Sequence, residues 1–320
     1  MRAAWYNNFG PANEVLQTGK LETPIKEKSH ILVQMSCSGV NPVDIARRNG
    51  SRGEMTDPLV IPHFDGAGIV EDTGERVWLY ESQWKRAQGT AAEYISIPAH
   101  LANPLPDTTT FEEGACLGIP AMTAHRCVYG DGPVKNQWIL ITGGAGAVGN
   151  YAIQFAKLGG AKIITTVSTD KKEEIAKNSG ADHIINYKHQ DVPSMVQQIT
   201  NDSGVDRVIE VEFGRNLSTN ISILKINGVI ATYASSHLPE PLLPFYQLMY
   251  KGITVRHELV FIMPPEAKKL ATTDIHRWLE KGAIKHNVGS IFELEDIVSA
   301  HENVEKGSVG KTIIRINDSN

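Results

Sequence analysis

Cysteine is scarce in this chain: Cys37, Cys116 and Cys127 are three in 320 residues, an odd number with no C-x-x-C spacing. Neither a disulfide framework nor a zinc ribbon is written here. No run approaches the roughly 18 apolar residues of a membrane-spanning helix, and Met1-Arg2-Ala3-Ala4-Trp5-Tyr6 lacks the apolar core of a signal peptide, so the cytoplasm is the expected compartment. Positive charge is thin as well. Lys and Arg number 31 against 36 Asp and Glu, and the adjacent basic residues are isolated pairs such as Lys85-Arg86, Lys171-Lys172 and Lys268-Lys269, which excludes a continuous footprint for nucleic acid. There is no internal repeat, no low-complexity tract and no G-x-S-x-G elbow of a serine hydrolase. His301-Glu302-Asn303-Val304-Glu305 lacks the second histidine of H-E-x-x-H and reads as an exposed helix face. What remains is a globular chain, 41% hydrophobic, long enough for about two domains.

The most informative stretch is Trp138-Ile139-Leu140-Ile141-Thr142, a buried strand running into Gly143-Gly144-Ala145-Gly146-Ala147-Val148-Gly149. Gly144, Gly146 and Gly149 satisfy G-x-G-x-x-G: the first turns the chain, the second lets backbone approach a pyrophosphate, and the third lets helix pack on strand. A helix follows from Ala147 to Leu158, then a strand from Ala161 to Val167. The alternation continues with helix Asp170–Asn178, strand His183–Asn186, helix Val192–Thr200, strand Val205–Val211, helix Leu217–Lys225 and strand Val229–Ala234. Such alternation predicts an α/β fold with a doubly wound parallel sheet, and the strand-loop-helix setting makes the glycines a dinucleotide site.

The second strand ends Thr166-Val167-Ser168-Thr169, where an acidic residue would select an adenosine ribose 2'-hydroxyl. Ser168 can donate to a 2'-phosphate instead, and Lys171 and Lys172 follow on the next turn. NADPH is therefore favoured over NADH. Asp170 competes as a ribose ligand but reads more naturally as the cap of its helix.

The flanking regions are different in texture. Short β-like runs at His30–Met35, Gly68–Glu71, Arg76–Tyr80 and Ala91–Ile97 lie between Gly, Pro and Asn turns. Helices at Glu266–Lys281 and Leu294–Glu305 and a strand at Lys311–Ile316 close the chain.

Several stretches, taken in order, carry a resemblance: Ser38-Gly39-Val40-Asn41-Pro42-Val43-Asp44, Pro62-His63-Phe64-Asp65-Gly66-Ala67-Gly68-Ile69-Val70-Glu71, Gly74-Glu75-Arg76-Val77-Trp78, Gly89-Thr90-Ala91-Ala92-Glu93-Tyr94, the glycine loop, and Gly310-Lys311. Over essentially its whole length the chain resembles the zinc-free medium-chain dehydrogenases/reductases, specifically the zeta-crystallin-like NADPH:quinone reductases. The resemblance implies a GroES-like β-rich domain from residues 1–118 and 286–320, a Rossmann domain from 119–285, and an active site in the cleft between them. It also implies a homodimer joined at sheet edges, for which the strand Ile253–Val260 is long enough.

By the same resemblance Asn41, Phe64 and Ile119 stand at the Cys, His and Cys positions that hold catalytic zinc in metal-dependent relatives, so no metal is expected. His63, beside a ligand position, reads as a packed or hydrogen-bonding histidine. Asn41 is implied to face the nicotinamide and substrate and Asp44 to orient that loop or the cofactor, although Asn41-Pro42 also reads as a turn and Asp44 as a helix cap. Thr123, Gly146, Ala147 and Val148 are implied at the pyrophosphate and nicotinamide, Ser168, Lys172 and Tyr187 at the 2'-phosphate, and Tyr233 and Ser235 at the fourth-strand crossover. Ala46 replaces a tyrosine of many relatives, and Val211 an aspartate. The activity implied is hydride transfer from NADPH to a quinone or related α,β-unsaturated carbonyl. An enoyl thioester reductase and an NADPH-binding, crystallin-like protein with little turnover remain as alternatives.

Overall fold

The computed structural model describes residues 1–52 and 54–317. The chain forms two compact units, Met1–Pro120 with Thr272–Asn320, and Ala121–Ala271. In the first unit β1 (Arg2–Trp5), α1 (Ala12–Val15) and β2 (Gln17–Lys20) precede β3 (His30–Val40) and α2 (Pro42–Arg48). Then come β4 (Asp65–Val70), β5 (Arg76–Leu79), β6 (Tyr94–Pro98), β7 (Ala102–Pro104) and the first half of α3 (Phe111–Tyr129), whose residues from Ala121 on belong to the second unit.

The second unit holds β8 (Trp138–Ile141), α4 (Ala147–Leu158), β9 (Lys162–Val167), α5 (Asp170–Asn178), β10 (His183–Asn186) and α6 (Val192–Thr200). It continues through β11 (Val205–Glu210), α7 (Phe213–Ile223), β12 (Leu224–Thr232), α8 (Phe245–Lys251) and β13 (Thr254–His257). Helix α9 (Pro265–Glu280) leads back to β14 (Val288–Glu293), α10 (Ile297–Glu305) and β15 (Lys311–Arg315).

Strand β3 organises the first unit. Its first half, His30–Gln34, pairs antiparallel with β6, and its second half, Cys37–Val40, pairs antiparallel with β15. Strand β4 lies antiparallel along β3, so the last strand of the chain is built into the same sheet as the first long one. Gly39 is needed here because a Cβ would lie 2.2 Å from the Ala115 carbonyl oxygen and 2.7 Å from Lys311 Cε.

The second unit carries six parallel strands in the order β10-β9-β8-β11-β12-β13. This is the doubly wound dinucleotide-binding order with its reversal point beside β8. Leu140, Ile164, Val208 and Ile230 from four adjacent strands share one cluster with Phe213, Leu217 and Ile221 of α7 and Val196 of α6. These β-branched and aliphatic strands are buried on both faces, which is why they read as continuous apolar runs rather than alternating ones.

Several elements differ from the sequence-based expectation. Helix α7 begins at Phe213 and stops at Ile223, where Leu217–Lys225 was predicted. Phe213 is buried and its N–H is held by the Ala234 carbonyl, which pulls the helix start forward, and Leu224 begins β12 directly. The cap of α5 is Thr169, whose hydroxyl accepts from the Lys172 N–H, and Asp170 is the first helical residue. Strand β13 is shorter than Ile253–Val260, because Val260–Ile262 turns into a 3-10 helix. Strand β4 begins at Asp65, three residues before its predicted start, since Gly66-Ala67-Gly68 looks like a turn until it is packed. No helix among the described residues is long and apolar enough to cross a membrane.

At Gly149 an added Cβ would lie 2.4 Å from the Gly143 carbonyl oxygen, and this backbone cannot swing aside as a flexible side chain would. At Gly146 the nearest atom to such a Cβ is 3.2 Å away. Gly149→Ala is expected to destabilise by about 1–3 kcal/mol in urea unfolding and Gly146→Ala by less. Equal costs would mean that the third glycine is not a packing requirement.

Candidate active site

The nucleotide-side geometry is made by backbone. After β8 the chain turns at Gly143, whose φ is +68°. The Gly143 N–H donates to Thr166 Oγ1 and the Gly144 N–H to the Thr166 carbonyl, tying the loop to β9. Gly144 admits no side chain, because its Cβ would lie 2.1 Å from Thr165 Oγ1. Gly146 is the N-cap of α4 and is exposed, while Ala147 and Val148 are half-buried in the first helical turn. First-turn N–H groups have no intrahelical acceptor and stand at the positive end of the helix dipole. That arrangement fits a pyrophosphate.

The ends of β9 and β10 bring together three more of the predicted residues. Asn186 is in register with Val167 on the neighbouring strand, so Ser168 and Tyr187 leave adjacent strand ends. Lys172 Nζ lies 3.2 Å from Ser168 Oγ, one turn into α5, and the Tyr187 ring is half exposed. A hydroxyl and an ammonium converge at the second strand end, where a carboxylate would select NADH. The donor set fits a 2'-phosphate.

The other predicted residues have these surroundings. The Ser235 hydroxyl accepts from the Gly214 N–H at 2.9 Å and donates to the Leu238 carbonyl at 2.5 Å, which commits it to its own loop. The Tyr233 N–H is bonded to the Glu210 carbonyl, and Thr123 is buried on α3.

Glu210, fully buried at the end of β11, was not singled out by the sequence as a structural centre. Its carboxylate accepts from Thr142 Oγ1 (2.9 Å), the Glu212 N–H (2.6 Å), Asn216 Nδ2 (3.0 Å) and Asn220 Nδ2 (2.8 Å). Four neutral donors thus fix a buried anion and tie β8, β11 and α7 to one another. Glu212 in turn accepts from the backbone of Ser236 and His237, and so holds the segment after β12.

In the first unit the predicted catalytic residues sit in a side-chain network. Asn41, not Asp44, caps α2, and Asp44 accepts from the Asn41 N–H at 2.6 Å. Asn41 is 3% exposed; its Nδ2 donates to Asp65 Oδ2 at 2.8 Å, and its Oδ1 accepts from Lys311 Nζ. Lys311 Nζ also lies 2.8 Å from Asp65 Oδ2, with both side chains buried. The Ile119 N–H completes the set by donating to Asp65 Oδ1 at 2.9 Å. That bond needs the kink in α3 at Gly118, where a Cβ would lie 2.0 Å from Asp65 Oδ1. Asp44 lies in the same buried environment. Burial first, and then the Asp65 charge, raise its carboxyl to about 7, and its Oδ1 has no partner among the described residues.

Behind Asp65 runs a second chain of polar groups. Thr90 Oγ1 donates to the Asp65 carbonyl (2.6 Å) and therefore accepts from Ser38 Oγ (2.7 Å). Ser38 must then accept from His63 Nδ1 (2.8 Å), and His63 Nε2 from His301 Nε2 (2.9 Å). One proton per bond fixes both tautomers. His301 is fully buried, which corrects its reading as part of an exposed helix face: α10 turns this side inward against α2 and β15. Among the described residues no group of three or more His, Cys, Asp and Glu is placed to hold a metal. Phe64 is buried and offers no donor atom from its ring.

A glycine loop after β8, a doubly wound sheet and a β-rich unit closed by the last strand match the two-domain fold of medium-chain dehydrogenases/reductases. The family described as zinc-binding dehydrogenase matches residues 147–272. Human quinone oxidoreductase is 27% identical over 322 residues, covering 98% of this chain and 97% of that protein. The structure of Escherichia coli quinone oxidoreductase complexed with NADPH superposes with a TM-score of 0.87 at 25% identity, covering 99% and 100% of the two chains. An NAD-dependent alcohol dehydrogenase superposes with a TM-score of 0.88 at 25% identity, covering 99% of this chain and 100% of that one. Over nearly its whole length the chain is similar to proteins named quinone oxidoreductase.

Acid stability tests the histidine pair. Burial, the neighbouring His301 ring and Lys311 hold His63 well below the usual range, and burial with Arg48 beside it lowers His301 to about 3. The unfolded chain takes up these protons below about pH 6.5, so the stability both histidines contribute is lost as pH falls from there toward 3. Asp44 has the opposite sign: the folded chain takes its proton near 7 and the unfolded chain near 3.8, which offsets about one histidine over that window. His301→Leu is expected to reduce the loss of unfolding free energy between pH 7 and pH 5 by about 1–2 kcal/mol. An unchanged loss in urea titrations at the two pH values would remove His301 as a source of acid sensitivity.

Proposed function

We propose that this protein is an NADPH-dependent reductase of quinones and related α,β-unsaturated carbonyls. The observation that carries the cofactor reading is the convergence of Ser168 Oγ and Lys172 Nζ at the end of β9, beside an open glycine loop. The fold by itself does not choose between cofactors, since it superposes equally well on an NADPH complex and on an NAD-dependent enzyme. The quinone reading is supported by the relatives named quinone oxidoreductase, which align over nearly the whole chain.

NADPH supplies the hydride, and the balanced reaction is quinone + NADPH + H⁺ → hydroquinone + NADP⁺. Ala147 and Val148 would hold the pyrophosphate through backbone N–H groups while Gly146, whose own N–H is bonded to the Gly143 carbonyl, leaves room for it, and Ser168, Lys172 and Tyr187 would hold the 2'-phosphate. Asn41 would offer an N–H to the acceptor oxygen, which gains negative charge. Phe64 and Ile119 contribute apolar side chains at the positions that resemblance gives to metal ligands. A quinone suits such a site, because its two-electron product is a stable anion that solvent protonates without a positioned acid.

Lys172→Ala is expected to weaken NADPH binding about ten- to a hundred-fold and NADH binding little, as for loss of a hydrogen bond to a charged group. The same fluorescence titration with NADH is the control, and equal losses would show that the lysine does not hold a phosphate. Oxidation of NADPH against quinones, enones, enals and enoyl thioesters tests the acceptor. Faster turnover of enoyl thioesters than of quinones would replace this reading.

We further propose a homodimer. Strand β13 is the edge of the parallel sheet and leaves a row of backbone groups open. Phe245, Tyr246 and Tyr250 on α8 are exposed, Tyr250 by 77%. A solution mass of twice 35.1 kDa is expected from light scattering. A monomer at micromolar concentration would count against the pairing.

A further inference from the structure

The segment Gln83-Trp84-Lys85-Arg86 has no part in the reaction described so far, and it meets α2 through Arg47. Arg47 Nη2 donates to the Arg86 carbonyl at 3.5 Å, and the guanidinium lies against the hydroxyl of buried Tyr6, which also borders Asp44 and Gln83. Gln83 Nε2 donates to the Ile61 carbonyl at 2.9 Å and so ties the segment down. Both partners of Arg47 are neutral. Arg48, next in the chain, pairs with Glu305, and Lys311 pairs with Asp65, whereas Arg47 has no carboxylate partner among the described residues. A guanidinium presents five N–H donors in one plane, a fork matched to the two oxygens of a carboxylate. Arg47 is half-buried and none of its nitrogens is both buried and unpaired, so its remaining N–H groups face solvent.

Lys85 adds a second cation to the same turn. It is exposed, its Nζ lies 5.9 Å from the Trp84 ring centroid, and it too has no carboxylate partner among the described residues. Its φ of +57° is a conformation that glycine or asparagine would adopt at less cost.

We propose that Arg47 is a specificity residue that binds a carboxylate carried by the acceptor, so that the substrates are anionic quinones and enones in preference to neutral ones. This rests on the reading of the protein as a reductase whose acceptor meets α2 at Asn41. Asn41, Asp44 and Arg47 follow at three-residue intervals, so each is the surface neighbour of the next. Six residues of helix span about 9 Å, the reach of a two-ring quinone with a short acidic side chain. The carboxylate is unchanged by the reaction: the hydride and the proton still go to the quinone ring. Half-burying a guanidinium without a counter-ion costs solvation, and an anionic acceptor offsets that cost only when it binds.

Menadione carrying a propanoate on its free quinone carbon, and the methyl ester of that acid, share a ring and differ in charge. The unsubstituted protein is expected to favour the acid in kcat/KM by about tenfold, chiefly through KM, as for a charge-assisted hydrogen bond to a group away from the reacting atoms. Raising NaCl from about 20 to about 300 mM is expected to remove at least about half of that preference on a logarithmic scale. Arg47→Gln is expected to shrink the acid-to-ester ratio about tenfold, and Arg47→Lys, which keeps the charge, less than about threefold.

An acid-to-ester ratio near one in the unsubstituted protein overturns the proposal without any variant having to fold, as does a ratio that Arg47→Gln leaves unchanged. Preference for crotonyl-CoA over crotonyl-N-acetylcysteamine that Arg47→Gln abolishes, with the quinone ratio untouched, also overturns it by assigning Arg47 to a carrier phosphate. Reduction of neither quinone removes the underlying reading and this proposal with it. Equal reduction of acid and ester removes this proposal alone.

Discussion

Asp65 and Lys311 lie 246 residues apart and meet as a buried ion pair, which joins β4 to the last strand of the chain. Taking two charges out of water is expensive, and the pair is not a source of net stability merely by existing. What makes it tolerable is that its remaining hydrogen-bonding capacity is used: Asp65 Oδ1 by the Ile119 N–H, Oδ2 by Asn41, and the ammonium by Asn41 Oδ1. Removing either partner alone would leave an uncompensated charge, at a cost of about 3–5 kcal/mol. The kink at Gly118, the bare Cα of Gly39, the cap of α2 and the return of β15 to β3 all follow from keeping that pair complete.

The two candidate regions are built by different means. Around the glycine loop the open polar groups are backbone N–H groups, left accessible by the side chains that are missing. Around Asn41 the polar groups are side chains, each held by a named partner. Glu210 shows how the sheet side manages a buried anion with no cation: two amides, a hydroxyl and a backbone N–H suffice.

The paired histidines illustrate a constraint of another kind. His63 has a φ of +83°, an unusual backbone conformation for a residue with a side chain. Its ring is held between Ser38 and His301, and the hydrogen-bond direction runs without a break from α10 to the Asp65 carbonyl. The chain lends rigidity to the strand that carries Asp65, and it works only while both rings are neutral. On the outer side it ends at His301 Nδ1, which has no partner among the described residues.

Local pattern made much of this legible. The apolar run at Trp138–Ile141, the three glycines after it and the regular alternation beyond determine a doubly wound sheet, because parallel strands buried on both faces leave that signature whatever surrounds them. Ser168 and Lys172 were readable as neighbours, since they lie either side of the Thr169 cap where β9 gives way to α5. Caps were less so: Asn41 and Thr169 outcompete Asp44 and Asp170 through backbone placement that composition does not reveal. Burial of His301, the partners of Asn41 and the four donors on Glu210 were decided only by tertiary structure. Each depends on residues brought together from far apart in the chain, Asn41 and Lys311 across 270 positions and His63 and His301 across 238. A buried polar group has no periodicity of its own; its meaning lies in the partner that folding delivers, and the sequence names the group without naming the partner.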